Sequence, residues 1–287
     1  MSDNQLHLEG AAFLKAENAG LYEPNGSKSM GICAERSTKH NQELLAQIPY
    51  YQDWRTAANE IKDYAVGNLD KLLVDFERNI TARGATVHWA ENAEEANRIV
   101  LEIARENNVK TVVKAKSMVS EEMELNHAFA SAGIRAVETD LGEYLVQLAE
   151  QRPTHIVTPA LHLAAEDVGT LCAEKLVEPY TAEHQALTDI ARRHLREEFG
   201  NAEMGMSGCN FGIADTGSFV VVENEGNAGL STATPPIHVA LMGIEKVIPS
   251  IQYLPQFLNL LARSGTGQKL TTYTHLFHGA TPGRKLH

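Results

Sequence analysis

The sequence predicts an α/β fold: a parallel or mixed sheet with helices on both of its faces. Two observations support this class. Between residues 84 and 175, short β-branched runs alternate with amphipathic segments of helical period. Further along, residues 217–222 form an apolar, β-branched run that is typical of a strand buried on both faces. Strands that alternate with helices over so short a stretch are most simply joined as parallel strands by crossover helices.

The predicted elements follow one another in a regular order. Apolar residues from Ala58 to Phe76 recur at steps of three and four, which predicts a long amphipathic helix. Asn92 and Glu95 form a capping-box pair that predicts the start of another helix. Strands are predicted at residues 85–89, 110–113, 134–137, 155–157, 217–222 and 237–242, and further helices at residues 121–132, 141–150, 163–175, 181–200 and 251–263.

Residues 51–275 are predicted to form the α/β domain, and the two ends of the chain are predicted to lie outside it. Residues 1–50 are interpreted as an irregular N-terminal arm with one helix near residues 39–47. Residues 276–287 are interpreted as a C-terminal tail or a truncated linker, because the sequence stops there without a recognisable closing element.

The composition disfavours several classes of protein. Hydrophobic residues are 43% and charged residues 22%, which is ordinary for a globular protein. The 25 Lys and Arg residues and 37 Asp and Glu residues give a net charge of −12, which opposes binding to nucleic acid and to anionic membranes. No apolar run approaches the ~18 residues that span a bilayer, and the polar start lacks the features of a secretory signal. We therefore expect a cytoplasmic protein with no nucleic-acid partner and no direct membrane insertion.

The cysteines and histidines predict no metal or cofactor in this chain. Cys33, Cys172 and Cys209 lie far apart in the sequence and include no Cys-x-x-Cys pair, so we expect three reduced thiols. The sequence also contains no His-Glu-x-x-His motif, and the glycine-rich fingerprints of nicotinamide and ATP sites are absent.

In an open parallel sheet, ligands bind beyond the carboxyl ends of the strands, so the residues that follow each predicted strand are candidates. Lys116 and Ser117 come after the strand at 110–113 and just before a helix, which favours a carboxylate or phosphate site there. The alternative is a plain helix cap beside two solvated lysines, Lys114 and Lys116. Asp140 or Thr139 is interpreted as a cap of the next helix, and His162 as either an acid–base group or a structural histidine.

The richest candidate segment is residues 207–234, where carboxylates and amides stand at both ends of the apolar strand 217–222. Carboxylates in such positions can act as general bases or hold hydroxyl groups. The alternative is a pair of Asx-type turns with solvated charges. Asp215 and Glu223 are the candidate catalytic residues. The candidate ligand-binding residues are Lys116, Ser117, Thr216, Gly217, Asn224, Glu225 and Asn227.

Five motifs of the sequence resemble one known family. They are residues 112–122 (VVKAKSMVSEE), 138–144 (ETDLGEY), 210–217 (NFGIADTG), 222–227 (VENEGN) and 238–246 (HVALMGIEK). In this order they closely resemble the LUD (lactate utilisation) domain, specifically the lactate-utilisation protein B family, over a match from about Ile61 to Thr274. The resemblance implies an α/β fold similar to the ribose-5-phosphate isomerase and CoA-transferase group.

The resemblance also implies a role in oxidising L-lactate to pyruvate, together with two other lactate-utilisation subunits or an electron carrier. In that family a ferredoxin-like domain with cysteine-bound iron–sulfur clusters follows the LUD domain. This sequence ends at His287, where the linker to that domain would begin, so the chain is either shortened or a natural short form. Iron–sulfur clusters are therefore expected only in the missing domain or in a partner.

The resemblance leaves the chemistry of the LUD domain itself open. We expect a small anionic ligand at the strand ends, with Lys116 and Ser117 holding its carboxylate or phosphate and Glu223 or Asp215 taking a proton. In a scaffold role the isolated chain would show no turnover without its partners. One alternative is a free-standing isomerase-like or transferase-like enzyme on a small phosphorylated or thioester substrate. Another is a non-catalytic interaction module that docks a partner through its basic tail. A homo-oligomer is compatible with each.

Overall fold

The computed structural model describes residues 24–151, 153–154 and 158–287. Over these residues the helices are α1 (Pro24–Leu45), α2 (Tyr51–Gly67), α3 (Leu69–Thr81), α4 (Ala93–Glu106), α5 (Met118–Glu122), α6 (Leu125–Ser131), α7 (Leu141–Leu148), α8 (Ala165–Leu176), α9 (His184–Asn201), α10 (Asn227–Ala233) and α11 (Leu254–Thr266). The strands are β1 (Thr111–Lys114), β2 (Arg135–Glu138), β3 (Met204–Gly208), β4 (Phe211–Ile213), β5 (Ser218–Glu223), β6 (Ile237–Leu241), β7 (Val247–Ile248), β8 (Tyr273–Phe277) and β9 (Lys285–Leu286).

These strands form two sheets. The first sheet has five strands in the order β2–β1–β3–β6–β9, and every neighbouring pair in it is parallel. The second sheet has four strands in the order β7–β4–β5–β8. In it β5 runs antiparallel to both β4 and β8, while β7 runs parallel to β4. The predicted α/β class with a parallel sheet and flanking helices is confirmed.

Helices cover both faces of the parallel sheet. Val112 and Val113 are both fully buried, although successive side chains of a strand point to opposite faces. Val112 packs in a cluster with Val100 of α4 and Phe129 of α6. Val113 packs in a different cluster with Leu195 of α9. This double coverage explains why the strand appears in the sequence as a continuous apolar run.

Strand β5 of the second sheet contributes side chains to two separate apolar clusters, one on each of its faces. Val220 of β5 lies in a cluster with Phe257 of α11. Its neighbour Phe219 lies in a cluster with Phe76 of α3 and with Leu286 of β9. Strand β5 therefore shares an apolar layer with an edge strand of the parallel sheet, which joins the two sheets.

The structure corrects the prediction that residues 276–287 lie outside the domain. Strand β8 pairs with β5, and β9 pairs with β6 as the fifth strand of the parallel sheet. Leu286 is buried, and the N–H of His287 donates to the carbonyl of His238 at 2.9 Å. A two-residue strand carries too short a pattern to be recognised in sequence, so its burial was not predictable.

Other differences concern the strand at residues 85–89 and the N-terminal arm. Residues 85–89 form no strand, although the N–H of Thr86 donates to the carbonyl of Leu286 at 2.9 Å. Helix α1 is longer than the helix predicted near 39–47, since it already begins at Pro24. Proline is compatible with the first turn of a helix. Residues 1–23 and the predicted strand 155–157 lie outside the described residues. Within the described part of the chain, no helix is both long and apolar enough to cross a bilayer.

A close approach between β3 and α10 gives the first prediction. A Cβ atom at Gly205 would lie 1.7 Å from the backbone carbonyl oxygen of Ser231, so neither backbone can accommodate it without moving. We expect Gly205→Ala to lower the free energy of unfolding by about 3 kcal/mol, as overpacking does in well-packed cores. Gly200→Ala is the matched control, because a Cβ atom at Gly200 in α9 would meet nothing within 4 Å. Urea unfolding midpoints check both, and equal stabilities would contradict the packing argument.

Candidate functional site

A buried ion pair joins the carboxyl ends of β1 and β2. Lys114 and Glu138 are adjacent in the strand register, so their side chains project from the same face of the sheet. The Nζ atom of Lys114 lies 2.6 Å from Oε1 of Glu138 and 2.8 Å from Oδ1 of Asn126 in α6. The Nδ2 atom of Asn126 donates to the same Glu138 oxygen at 2.6 Å. Lys114 is only 1% exposed, so side chains of the protein take the place of water around its charge.

Glu143 adds a second buried carboxyl group next to this pair. Asp140 caps the start of α7 by accepting from the N–H groups of Gly142 and Glu143, which fixes the first turn of the helix on which Glu143 lies. Burial, and then the neighbouring Glu138 carboxylate, raise the pKa of Glu143 to about 8. Its Oε2 atom is buried and has no hydrogen-bond partner among the described residues. Glu143 is therefore a neutral carboxyl group near pH 7 with hydrogen-bonding capacity that no described residue uses.

A cavity of about 650 Å³ opens beside this carboxyl group. Its walls come from α5, from the start of α6 and from the region around residue 153, and they combine polar and apolar groups. The described lining residues are Met118, Ser120, Glu121, Glu124, Leu125, Asn126, His127, Glu143, Pro153 and Thr154. We call this space, with Lys114, Lys116, Glu138 and Glu143, the strand-end site.

The structure brings Lys116, Ser117 and Glu225 to this edge of the sheet. Lys116 lies within electrostatic reach of two carboxyl groups, since its charge lowers the pKa of both Glu143 and Glu225. Desolvation, and then Asp140, outweigh it at Glu225 and leave that pKa above its ordinary value. The Oγ atom of Ser117 accepts from the N–H of Ser120 at 3.3 Å as the cap of α5. The capping alternative thus describes Ser117, and Lys116 faces acidic side chains.

Glu223 holds the start of α10 in place. Its two carboxylate oxygens accept from the N–H groups of Ala228 and Gly229, each at 2.8 Å. A hydrogen bond of 2.6 Å joins its Oε1 to Nε2 of His275 in β8. Asn227, with its amide oriented by its partners, donates to Oε2 of Glu223 at 3.0 Å. A carboxylate with this many partners is a structural anchor at a helix N-terminus, and its lone pairs are already in use.

The remaining candidate residues lie away from the strand-end site. Asp215 and Glu223 flank opposite ends of β5, so the two candidate catalytic carboxylates are not brought together. Asp215 is exposed and accepts from the N–H of Ile251 at 3.2 Å. Thr216 and Gly217 belong to the same β4–β5 turn, in which Gly217 has φ +59° and a Cβ atom would lie 2.3 Å from the backbone nitrogen of Ile80. Close packing therefore accounts for this glycine.

Two further candidates have local structural partners. The Oδ1 atom of Asn224 accepts from the N–H of Thr272 at 2.9 Å, which ties the end of β5 to the chain that enters β8. The ring nitrogens of His162 lie 3.2 Å from Oγ1 of Thr154 and 2.7 Å from Oε1 of Gln151. Asn224 thus bonds a distant segment of the chain, whereas His162 bonds residues of its own loop.

Sequence reasoning missed most of the strand-end site. It named the run after the second predicted strand but assigned roles only to Lys116 and Ser117, and it overlooked Lys114, Asn126, Glu138 and Glu143. One signal was available: Lys114 sits between Val113 and Ala115 in an otherwise apolar buried strand. A charged residue at such a position requires a buried partner. Among the described residues, no group of His, Cys, Asp and Glu could hold a metal ion.

Replacing only one partner of the ion pair between Lys114 and Glu138 should destabilise the protein strongly. We expect Lys114→Met to lower the free energy of unfolding by about 3–5 kcal/mol, because it leaves the buried Glu138 without its cation. The double variant Lys114→Met/Glu138→Leu should recover most of that loss. Asp75→Asn, at the exposed pair with Arg78, is the control and should cost less than about 1 kcal/mol. Denaturant unfolding measures all of these, and a double variant that is less stable than Lys114→Met would refute the coupling.

The neutral state of Glu143 gives a prediction for pH. Its pKa of about 8 in the folded protein exceeds the ordinary carboxyl value, so the folded state keeps a proton that the unfolded chain releases. The free energy of unfolding, taken relative to a Glu143→Gln variant, should therefore fall as the pH rises from about 4.5 to about 8, by up to about 1.4 kcal/mol per pH unit. Urea unfolding at a series of pH values tests this. A difference that is constant or that rises with pH would show that Glu143 is ionised in the folded protein.

Comparisons with known proteins place this architecture in a family. The sequence model of the LUD domain family matches residues 73–285. "Lactate utilization protein B" of Macrococcus caseolyticus (strain JCSC5402) is 42% identical over 275 residues, which cover 96% of this chain and 58% of the relative. The "Uncharacterized electron transport protein YkgF" of Escherichia coli (strain K12) is 37% identical over 253 residues, which cover 88% of this chain and 53% of the relative.

The chain spans little more than half the length of these curated relatives. A crystal structure of a DUF162 family protein from Deinococcus radiodurans aligns with 76% of this chain and 94% of that chain, with a TM-score of 0.42 and 12% identity. The match of the family's sequence model over most of the α/β domain, together with relatives of about 40% identity, determines the family. This chain belongs to the LUD domain family.

Proposed function

We propose that this chain acts in lactate utilisation, as the LUD-domain part of a complex that oxidises L-lactate to pyruvate. The observation that supports it most is the 42% identity to a Lactate utilization protein B over 96% of this chain. The second relative's name, an electron transport protein, fits the same pathway, because oxidation of lactate to pyruvate releases two electrons that need an acceptor.

In this proposal the strand-end site binds the small carboxylate substrate or product. Lys116 supplies the positive charge for the ligand's carboxylate group. Glu143 lies within electrostatic reach of Lys116, whose charge opposes but does not cancel the rise in the pKa of Glu143. Below pH 8 Glu143 is therefore neutral. An anion can therefore approach Lys116 without meeting a full charge at Glu143. The Oε2 atom of Glu143, which has no hydrogen-bond partner among the described residues, would bond a hydroxyl or keto oxygen of the ligand.

The proton-handling role then belongs to Glu143 rather than to Glu223 or Asp215. Glu223 is already bound by two backbone N–H groups and His275, and Asp215 lies at the far end of β5. Glu143 has a pKa of about 8 and an oxygen that no described residue bonds, which are properties that general acid–base catalysis needs. The buried Lys114 and Glu138 act beneath it as positioning residues.

The electrons leave this chain in the proposal. With Cys33, Cys172 and Cys209 as its only cysteines, the sequence cannot supply the four thiolates of a typical iron–sulfur cluster. The acceptor would be a cluster in a partner, either one of two other lactate-utilisation subunits or a separate electron carrier. The proposed division of labour is that this domain holds the carboxylate and its proton, and the partner takes the electrons.

Growth on L-lactate as sole carbon source tests this role. A strain of the source organism that lacks this gene should fail to grow, and the intact gene should restore growth. Lys116→Ala should not restore it, because loss of a charged hydrogen bond weakens ligand binding by about ten- to a hundredfold. Lys110→Ala is the matched control. The exposed Lys110 precedes β1 and therefore lies at the end of that strand opposite to Lys116.

The outcomes distinguish a ligand-binding role of the domain from a scaffold role and from a free-standing enzyme. Restored growth with both variants would keep the pathway but remove the strand-end site from it, as expected of a scaffold. Undiminished growth of the deletion strain, with no second copy of the gene present, would contradict the lactate role. That result would favour the alternative of a free-standing isomerase-like or transferase-like enzyme.

A further inference from the structure

The two sheets have four edges, and within the described part of the chain three of these edges are protected against pairing. The edge of β2 is covered by Gln147 of α7, whose side-chain amide accepts from the N–H of Glu138 and donates to the carbonyl of Ala136, each at 3.0 Å. The edge strands β7 and β9 are only two residues long. Covered and very short edge strands are devices that keep a sheet from pairing with other chains.

The fourth edge, that of β8, has no such protection. Strand β8 is five residues long, and its only partner among the described strands is β5. Its sequence, YTHLF, contains no proline, lysine or carboxylate, and Tyr, Thr and Phe favour strands. An edge of this length and composition is a template for a further strand.

The hydrogen bonds of β5 show which of its backbone groups turn toward β8. The carbonyl of Val220 accepts from the N–H of Asn210 at 2.8 Å, and the N–H of Val222 donates to the side chain of Asn210 at 2.9 Å. Both valines therefore direct backbone groups toward β4 and away from β8. Because the backbone groups of an antiparallel strand alternate between its two sides, the residues of β5 that bond to β8 are Phe219, Val221 and Glu223.

The same alternation identifies the backbone groups of β8 that face outward. The residues opposite Phe219, Val221 and Glu223 are Phe277, His275 and Tyr273, and these turn their N–H and C=O groups toward β5. Thr274 and Leu276 therefore present their N–H and C=O groups to the open edge. No described residue bonds any of these four groups. Two donors and two acceptors in a row along a strand fit the backbone of another extended segment.

A second copy of β8 matches this edge. In an antiparallel pair of β8 strands centred on His275, Thr274 lies opposite the partner's Leu276, so all four outward groups of each strand are bonded. Within one chain, the rings of Tyr273, His275 and Phe277 form a row with centroids 6.0 and 6.3 Å apart. The pairing sets Tyr273 opposite the partner's Phe277, so the row of rings continues across the two-fold axis. Aromatic pairs of this kind stabilise neighbouring strands.

The distribution of charge also favours a second copy at this edge. The chain has a net charge of −12, so two copies repel one another in general. Residues 247–287, which include β8, contain no Asp or Glu and four Lys or Arg residues. The edge therefore belongs to a segment without acidic side chains, and the approach of a second acidic chain meets less repulsion there.

We propose that two copies of this chain associate through β8, so that their second sheets join into one continuous sheet across a two-fold axis. The interface is isologous, since the same strand contributes from both copies. It requires no assumption about lactate or about the ligand of the strand-end site. Two strands of five residues bury little area, so the association is weak and reversible, with a dissociation constant in the micromolar range.

Sedimentation velocity over a range of protein concentrations tests the association. We expect the average mass of the wild-type protein to approach twice that of the single chain as the concentration rises. Thr274→Pro removes an N–H that faces the open edge but none that bonds to β5, so it should raise the dissociation constant at least about tenfold. Thr274→Ala is the matched control, because it keeps this N–H and should associate like the wild type.

Amide hydrogen exchange of the wild-type protein, resolved by residue, tests the same pairing without a variant. At high protein concentration the N–H groups of Thr274 and Leu276 should exchange about tenfold more slowly than at low concentration, because they become hydrogen-bonded to the partner. The N–H groups of His275 and Phe277 already bond to β5, so their exchange is the internal control and should change little.

Two kinds of result would overturn the proposal. A wild-type protein that stays monomeric at every concentration would exclude the self-pairing and leave the edge of β8 to an extended segment of another protein. A dimer that persists unchanged in folded Thr274→Pro, or that forms without slower exchange at Thr274 and Leu276, would place the interface elsewhere on the molecule.

Discussion

The buried pair of Lys114 and Glu138 is the interaction on which the strand-end site depends. A lysine that is 1% exposed must find its partners within the protein, and it finds them on β2 and α6. This requirement fixes the register of β1 against β2 and the position of Asn126 at the start of α6. It also places a negative charge beside Glu143, which together with burial keeps that carboxyl group neutral. A buried ion pair is seldom a net source of stability, so its value here lies in positioning.

A second carboxylate organises the neighbouring region by a different route. Glu223 at the end of β5 binds the first N–H groups of α10 and also His275 of β8. It thereby connects the second sheet to a helix that packs closely on β3, where Gly205 and the carbonyl of Ser231 leave no room for a Cβ atom. The helix that borders the parallel sheet is thus held at its start by charge and in its middle by close packing. Helix α5, in turn, contributes residues to the wall of the strand-end cavity.

The fold class was predictable because it depends on patterns that repeat over many residues. The alternation of short strands and helices from Thr111 to Glu138 is visible in the sequence, and so is the buried character of β5. The two-residue strand β9 was not predictable, since hydrophobic alternation has no meaning over two residues. Its pairing with β6 depends on contacts between distant parts of the chain.

The site was predictable only in part, for a similar physical reason. That ligands approach the carboxyl ends of parallel strands is a rule of topology, and it selected Lys116, which lies within electrostatic reach of Glu143 and Glu225. The same reasoning selected Asp215 and Glu223 because they flank one strand, yet a strand of six residues holds its ends far apart. Nothing local in the sequence shows that Glu143, one turn into a helix, is buried against Glu138. Sequence-based reasoning detects which residues are charged, whereas burial and pKa depend on what packs around them.

The central claim is that Lys116 and the neutral Glu143 together receive a small carboxylate. It is tested most directly by calorimetry of L-lactate binding at pH 8, near the titration midpoint of Glu143, in two buffers with different enthalpies of ionisation. An anion bound beside Glu143 raises the pKa of that group further, so the account predicts net uptake of a fraction of a proton on binding. The uptake should vanish in Glu143→Gln. Absence of binding, or binding with no proton exchange in the wild-type protein, would contradict the account.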